Sequence, residues 1–544
     1  MDGRGPRNVL YVLFDDLRAD YGGGSTSVTT PHLSRLAKEG ASFGLAYSQV
    51  AFCVPSRASF LTGMRPEATL SIHNDQVERF GNKRLAPLRP GFTVLDAFKR
   101  AGYVTAAVGK IFHFAEAHPS LDLPIKPSTH DLLGRPCDSP GAKDVRVPQA
   151  HARFGFPKAC RLPFGSFVDE RVAAAAIGYL RELAKRHEQH EEPFLLLVGF
   201  LRPHNPYQFP SQHLDKLPAA NATDAAAVRY RHASQPLLAY ADSTECTQRK
   251  CSREQRRFYR AAVSHADEML GLVLNELRSK HLIQTTLVVA HSDHGFSLGE
   301  NGAWQKRMAF DHAARVPLLI RDPTLPHANR GMRIDHAPVE LTDVLPTLLD
   351  LSGANKVIPP PHHLQGRSLR PLLHGSTGAK SSSFRYAFMI QPRLLYLARP
   401  DDKSNASSST SGRRERQLIV DGGANASDVL GAEGELPRRG KDCSTELVAG
   451  GFGPGRACQF VAMGFSVRSS QWRYTRWERW PIRGETKRVW TVGEGQLLAE
   501  ELYSYSSRNA TEQVNLAALG GEEYPEKQEL MAALLARRAE PLRT

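Results

Sequence analysis

The stretch Asn8 to Asp16 reads N-V-L-Y-V-L-F-D-D. From Val9 to Phe14 it is unbroken apolar sequence, without the in–out alternation of a strand that has one wet face. A run of this length, closed abruptly by polar residues, reads as a strand covered by protein on both sides, and such strands belong to parallel sheets. The pattern recurs along the chain. Val104 to Val108, Phe194 to Phe200 and Thr286 to Ala290 are apolar runs of strand length. Between them lie segments with helical spacing. One opens at Thr30-Pro31, with Thr30 as cap and Pro31 in the first turn. Ser166 to Arg186 and Arg253 to Lys280 follow, and Val339 to Leu351 reads as a helix interrupted by Pro346. This alternation predicts an α/β fold on a mostly parallel sheet flanked by helices.

A chain of 544 residues can bury a large core in more than one domain or subdomain. Hydrophobic residues make up 41% and charged residues 23%, ordinary values for a globular protein. No apolar stretch reaches the length of a bilayer span. The net charge of +14 favours polyanionic partners. No basic-aromatic nucleic-acid module accompanies it, so no nucleic-acid partner is expected.

Asn221, Asn405, Asn425 and Asn509 each open an Asn-Ala-Ser/Thr sequon. They favour a secretory-pathway chain, lysosomal or extracellular. No signal peptide stands at the polar start Met1 to Pro6, and the expectation is a leader removed or left out of this sequence. Of the seven cysteines, setting Cys53 aside leaves three sequence-near pairs: Cys137 with Cys160, Cys246 with Cys251, and Cys443 with Cys458. An even remainder fits disulfides in an oxidising compartment.

Ala115 to Pro163 and Asn205 to Cys251 lack periodicity and read as long loops over the sheet edge. Composition changes near Ala398. Lys403 to Arg416, KSNASSSTSGRRER, is of low complexity, and Gly422 to Pro454 is Gly-rich. The expected organisation is a catalytic domain over 1–398, a mobile insertion over 399–458 and a smaller antiparallel-sheet subdomain over 459–544. In the last, strands are expected at Phe465 to Val467, Trp472 to Trp477 and Val489 to Thr491, with a closing helix from Glu523 to Ala539.

The predicted strands run into reactive residues. The first ends in Asp15-Asp16, the second in Gly109-Lys110 with His113 beyond, the third in Pro203-His204, and the fourth in His291-Ser292-Asp293-His294-Gly295. In a parallel sheet these ends share one edge, where such folds bind ligands. An isolated Asp-Asp pair more often caps a helix. Beside Asp293 it makes an oxygen-rich site suited to calcium or magnesium, because adjacent carboxylates repel until a cation neutralises them.

Cys53-Val54-Pro55-Ser56-Arg57, followed by Leu61-Thr62-Gly63, fills every position of a C-x-P-S-R…L-T-G signature. It resembles the formylglycine-dependent sulfatases, a family with an alkaline-phosphatase-like fold. The resemblance implies that a formylglycine-generating enzyme oxidises Cys53 to an aldehyde, which hydrates to a diol. One diol oxygen would attack sulfur and the other would expel sulfate by re-forming the aldehyde. A helix starting near Ser56 would put this nucleophile at a positive helix end.

By the same resemblance, Asp15, Asp16, Asp293, His294 and the modified Cys53 are expected to hold a metal, Ca²⁺ or Mg²⁺. Arg57 would orient the diol, Lys110 and Lys306 would bind sulfate, and His113 would be the base that helps release it. His204 would bind sulfate and protonate the leaving oxygen. Thr30-Pro31-His32-Leu33, Gly102-Tyr103-Val104-Thr105 and Ser292 to Glu300 followed by Trp304-Gln305-Lys306 fit the family, as does Glu501-Leu502-Tyr503 as its closing strand. Val108 to His113 and Met463 to Arg468, followed by Trp472 to Thr475, are similar to the iduronate-2-sulfatase branch. The expected activity is hydrolysis of a sulfate ester of a sulfated sugar or glycosaminoglycan. The rivals are a phosphodiesterase or phosphonate monoester hydrolase on the same scaffold, and a non-catalytic sulfated-glycan-binding protein if Cys53 is unmodified.

Overall fold

The computed structural model describes residues 7–22, 28–69, 71–72, 74, 92–113, 118–126, 136–147, 158–217, 231–240, 249–357, 364–375, 384–397, 418–420, 424–425, 457–479, 493, 495–505, 512, 514–520 and 524–538. At its centre is a nine-stranded sheet. Five strands run parallel and side by side: Leu123–Lys126, Val104–Gly109, Phe194–Pro203, Asn8–Asp15 and Thr286–Ser292.

The apolar run at the start explains the layers. Successive side chains of a strand point to opposite faces. Leu10, Val12 and Phe14 bury into one core with Val172 and Leu180 of the helix Val168–His190, and with Leu270 and Val273 of the helix Arg249–Ser279. Val9, Tyr11 and Leu13 bury into the other with Phe60 of the helix Cys53–Thr62, Phe98 of Val94–Arg100 and Leu348 of Val344–Ser352. Each fully buried Leu or Val stabilises by about 1.5–3 kcal/mol, so this strand anchors both layers.

The sheet is mostly parallel, as the alternation predicts; beyond Thr286–Ser292 the strand Arg315–Arg321 runs antiparallel to it and to Ala41–Tyr47. The structure corrects three local expectations. Val339–Glu340 is not helical: it pairs with Ala41–Tyr47, and the helix starts at Val344. Pro346 then falls in the first turn, where a missing N–H costs nothing, and so does not interrupt it. The two long aperiodic stretches contain strands. Leu123–Lys126 joins the main sheet, while Lys143–Arg146, Lys158–Arg161 and Gln208–Pro210 form a small sheet of their own. Cys137 and Cys160 tie this small sheet by a disulfide. Finally, the signature helix starts at Cys53 itself, not near Ser56.

A six-stranded antiparallel sheet follows, comprising Ala387–Leu397, Leu418–Val420, Ala424–Asn425, Ala457–Arg468, Trp472–Arg479 and Leu497–Ser504. Its Met463, Phe465 and Val467 pack under Leu530 and Leu534 of the helix Pro525–Arg538, and also against Val50 and Ile72 from the first part of the chain. Most of 399–458, the expected strand Val489 to Thr491, and Asn221, Asn405 and Asn509 lie outside the described residues, as do Cys246 and Cys443. Among the described residues no helix is long and apolar enough to cross a membrane.

Candidate active site

The chain leaves the central strand at Asp15 and turns sharply. Asp16 has φ +68°, a left-handed conformation that Asp tolerates better than most residues. The turn is pinned on every side. Asp16 N–H donates to Asp293 Oδ1 at 3.2 Å, and Leu17 N–H donates to Ser292 Oγ at 2.8 Å. The Tyr259 hydroxyl donates to the Asp16 carbonyl and accepts from Arg18 N–H. Both carboxylates therefore face the end of the neighbouring strand that carries Asp293.

The helix Cys53–Thr62 presents its first residue to this edge. The Val54 N–H is held by Asn74 Oδ1 at 2.9 Å, and the Ser56 hydroxyl donates to the Asp293 carbonyl. Gly63 ends the helix at φ +66°, and a Cβ there would lie 2.7 Å from Leu364 Cδ2. The signature's glycine is thus a left-handed helix stop. Arg57 is buried, and its Nε donates to Asp293 Oδ2 at 3.0 Å while Nη1 donates to the Ile111 carbonyl at 3.0 Å. It ties the helix to the strand end that carries Lys110.

The nine other site residues singled out from the sequence gather around Cys53. Its Sγ lies 3.5 Å from Asp15 Oδ1, 3.3 Å from His294 Nε2 and 3.1 Å from Lys306 Nζ. His113 hydrogen-bonds the thiol. Lys110 Nζ donates to Asp15 Oδ2, and Lys306 Nζ to Asp16 Oδ1 at 2.8 Å. His294 Nε2 is 3.4 Å from Asp16 and 3.7 Å from Asp293. His204 Nε2 stands 4.0 Å from Asp16 Oδ2. Its Nδ1 faces the Asn205 carbonyl, which only accepts, so Nδ1 carries the proton and Nε2 turns to the site. Asp15, Asp293 and His294 are fully buried, whereas the side chains of His204 and Lys306 are 26% and 11% exposed. The site therefore opens on the His204–Lys306 side.

The electrostatics follow from this crowding. Burial pushes the Cys53 thiol up, but Lys306, Lys110, His294 and the His113 hydrogen bond outweigh it and hold the group well below the usual thiol range. Burial and the neighbouring Asp15 push the Asp293 carboxyl up. Burial, reinforced by Lys110, holds His113 down at about 4.

The donor set fits a divalent cation. Ligand atoms of Asp15, Cys53, Asp293 and His294 lie within 4.8 Å of one another, as do those of Asp15, Asp16, Cys53 and His204. The buried Asp16 Oδ2 has no hydrogen-bond partner among the described residues. Three carboxylates this close repel, and hard oxygen donors suit calcium or magnesium.

Two contributors carry no signal in the sequence. Tyr259, in the middle of an amphipathic helix, reads as a core residue yet holds the Asp16 turn. Asp169 reads as a helix-start acid yet accepts the N–H groups of Leu201 and Arg202, just before His204. Both act on backbone, so only the folded chain reveals them.

Residues 7–354 match the family described as Sulfatase. The chain is 31% identical over 393 residues to iduronate 2-sulfatase of Mus musculus, covering 64% of this chain and 68% of that protein. It is 28% identical over 403 residues to choline-sulfatase of Rhizobium meliloti (strain 1021), covering 70% and 74%. The crystal structure of a phosphonate monoester hydrolase of Agrobacterium radiobacter shares the fold, with a TM-score of 0.63 at 20% identity over 98% of this chain and 96% of that one. With the family matched across the whole main sheet and its helices, this chain belongs to the sulfatase family and is a sulfuric ester hydrolase.

Proposed function

We propose that this sulfatase hydrolyses a sulfate ester of a sulfated sugar, with residue 53 acting as formylglycine beside a divalent cation. The observation that carries the reading is the position of Cys53 Sγ, which lies 3.1–3.5 Å from Lys306, His294 and Asp15 together. A reactive atom there would meet the sulfate group among fixed cations.

Asp15, Asp16, Asp293 and His294, with residue 53, would hold the metal. When bound, it would polarise sulfate oxygens and lower the pKa of the nucleophile's hydroxyl. Lys110 and Lys306 would stabilise the charge of the transferring group at fixed positions, without reorganisation. Arg57, locked to Asp293 and to the Ile111 carbonyl, would orient residue 53. His113, low in pKa and hydrogen-bonded to residue 53, suits a base that takes a proton during sulfate release. His204, on the open side, would meet the leaving oxygen with Nε2 and, with both ring nitrogens protonated, pass it the Nε2 proton.

Similarity to iduronate 2-sulfatase and the net charge of +14 favour a 2-sulfated iduronate in a glycosaminoglycan, or a comparable anionic polysaccharide. The Cys137–Cys160 disulfide supports a secretory-pathway location, lysosomal or extracellular, where a formylglycine-generating enzyme would act during maturation. Mass spectrometry of the tryptic peptide Glu39 to Arg57, from protein of the native source, is expected to show the aldehyde or its hydrate. Intact thiol would defeat the catalytic reading. Aryl sulfate is expected to turn over faster than aryl phosphonate or phosphodiester, and the reverse order would assign the site to the rival chemistry. Defined sulfated mono- and disaccharides would then identify the sugar.

A further inference from the structure

We propose that Asp169 and Arg202 are positioning residues for His204, an inference that rests on the role given to His204 above. The strand Phe194–Pro203 loses its regular register with Asn8–Asp15 after Gly199 and ends at Pro203, so the shape of Leu201 to Pro206 is set by side chains. Asp169, fully buried at the start of the helix Val168–His190, spends both carboxylate oxygens on it. Oδ1 accepts Leu201 N–H at 2.7 Å and Oδ2 accepts Arg202 N–H at 2.8 Å. Arg202 is also buried, and its guanidinium reaches forward along its own loop. Nη1 donates to the His204 carbonyl and, at 2.8 Å, to the Pro206 carbonyl.

Two carbonyls two residues apart are thus gathered onto one guanidinium. The carbonyl between them, that of Asn205, is left facing His204 Nδ1. This carbonyl fixes the ring with Nε2 toward Asp16, 4.0 Å away. The order of control runs from Asp169 to the backbone of 201–202, from Arg202 to the backbone of 204–206, and from Asn205 to the imidazole. A lysine at 202 keeps the charge but lacks the planar fork, and would hold the loop less well.

The discriminating experiment is a double-mutant cycle on kcat/KM for an aryl sulfate, using the full-length matured enzyme. R202M is expected to lower kcat/KM by about 10- to 100-fold, as loss of an orienting partner does, with the change in kcat rather than KM. R202K is expected to fall in between. In an H204A background R202M is expected to cost no more than about twofold, because its effect passes through a ring that is no longer there. D169N should behave as R202M does. If R202M fails to fold, R202K and D169N carry the same cycle. Equal losses with and without His204, or unchanged kcat in R202M and D169N, would overturn the positioning role. A wild-type enzyme with no turnover of the aryl sulfate would instead sink the reading of the site itself.

Discussion

Lys306 touches the proposed nucleophile and a carboxylate at once, with Nζ 3.1 Å from Cys53 Sγ and 2.8 Å from Asp16 Oδ1. Burial works against its charge, but Asp16, Cys53, Asp15 and Asp293 hold it protonated well above the usual lysine range. A fixed cation at the reacting centre is worth more than one in water, so Lys306→Ala is expected to lower kcat by about 10²–10³-fold, with Lys306→Arg recovering part of it. Steady-state kinetics on an aryl sulfate check this. Away from the site, His265 is buried against Phe167 and His213, and neither ring nitrogen has a hydrogen-bond partner among the described residues. Burial holds His265 well below its ordinary 6.5, with His213, Arg202 and Lys216 adding to it. The sign follows: the folded state resists a proton that the unfolded chain accepts. The contribution to stability is therefore present above pH 6.5 and lost as pH falls below it. H265L is expected to flatten that acid limb in urea midpoints measured between pH 7 and about 4.5. A limb as steep as in the wild type would show that other groups set it. Lys306 and Lys110 taken alone would read as surface lysines, and only their place beside matched motifs singled them out. His265 had no such context.

At the level of elements, the site depends on how closely two strands approach. Gly109, at φ +72°, precedes Lys110, and a Cβ there would lie 2.1 Å from the Gly199 carbonyl oxygen. Backbone on the far side cannot yield as a side-chain tip could, and a positive φ adds strain for any residue with a Cβ. Gly109→Ala is expected to destabilise the fold by about 2 kcal/mol or more, and to move Lys110 away from Asp15. Thermal melts give the first effect and activity of the folded fraction gives the second. A melt like the wild type's would show that the two strands can part. Strand and helix types were legible because apolar runs and helical spacing differ in period. The antiparallel strands Ala41–Tyr47 and Arg315–Arg321 were missed because Ser42, Gly44 and Pro317 break the apolar pattern. The same limit hid the strands within the long aperiodic stretches.

Across the whole molecule, the C-terminal sheet is fastened to the site by buried arginines. Arg393 donates to the carbonyl of Arg307, beside Lys306, at 2.8 Å and lies over Trp477. Arg473 pairs with Glu512 at 2.6 Å and stacks over Phe310 and Tyr503. Glu512 in turn accepts Asp311 N–H at 2.7 Å. Removing one member of a buried pair leaves its partner charged and dry, which costs about 3–5 kcal/mol. Arg473→Ala is expected to lower the melting temperature accordingly and to cut activity, whereas a rim substitution such as Arg385→Ala should do neither. If R473A melts like the wild type, the two sheets do not depend on this network. Chelation should also lower the melting temperature, and added calcium or magnesium should restore it, because Asp15, Asp16 and Asp293 repel without a cation.

The sequence by itself determined the α/β class, the strand ends that carry chemistry, the signature at Cys53 and the family these imply. Those features are local: a period, a run or a motif is written in neighbouring residues. Only the tertiary structure decided how the ends converge, which side of the site is open, and which side chains hold the backbone there. Contacts such as Tyr259 with Asp16, Asp169 with Arg202 and Arg393 with Arg307 join distant chain segments or act on backbone atoms, and backbone atoms are the same in every residue. Their partners have no identity until folding brings them within hydrogen-bond reach.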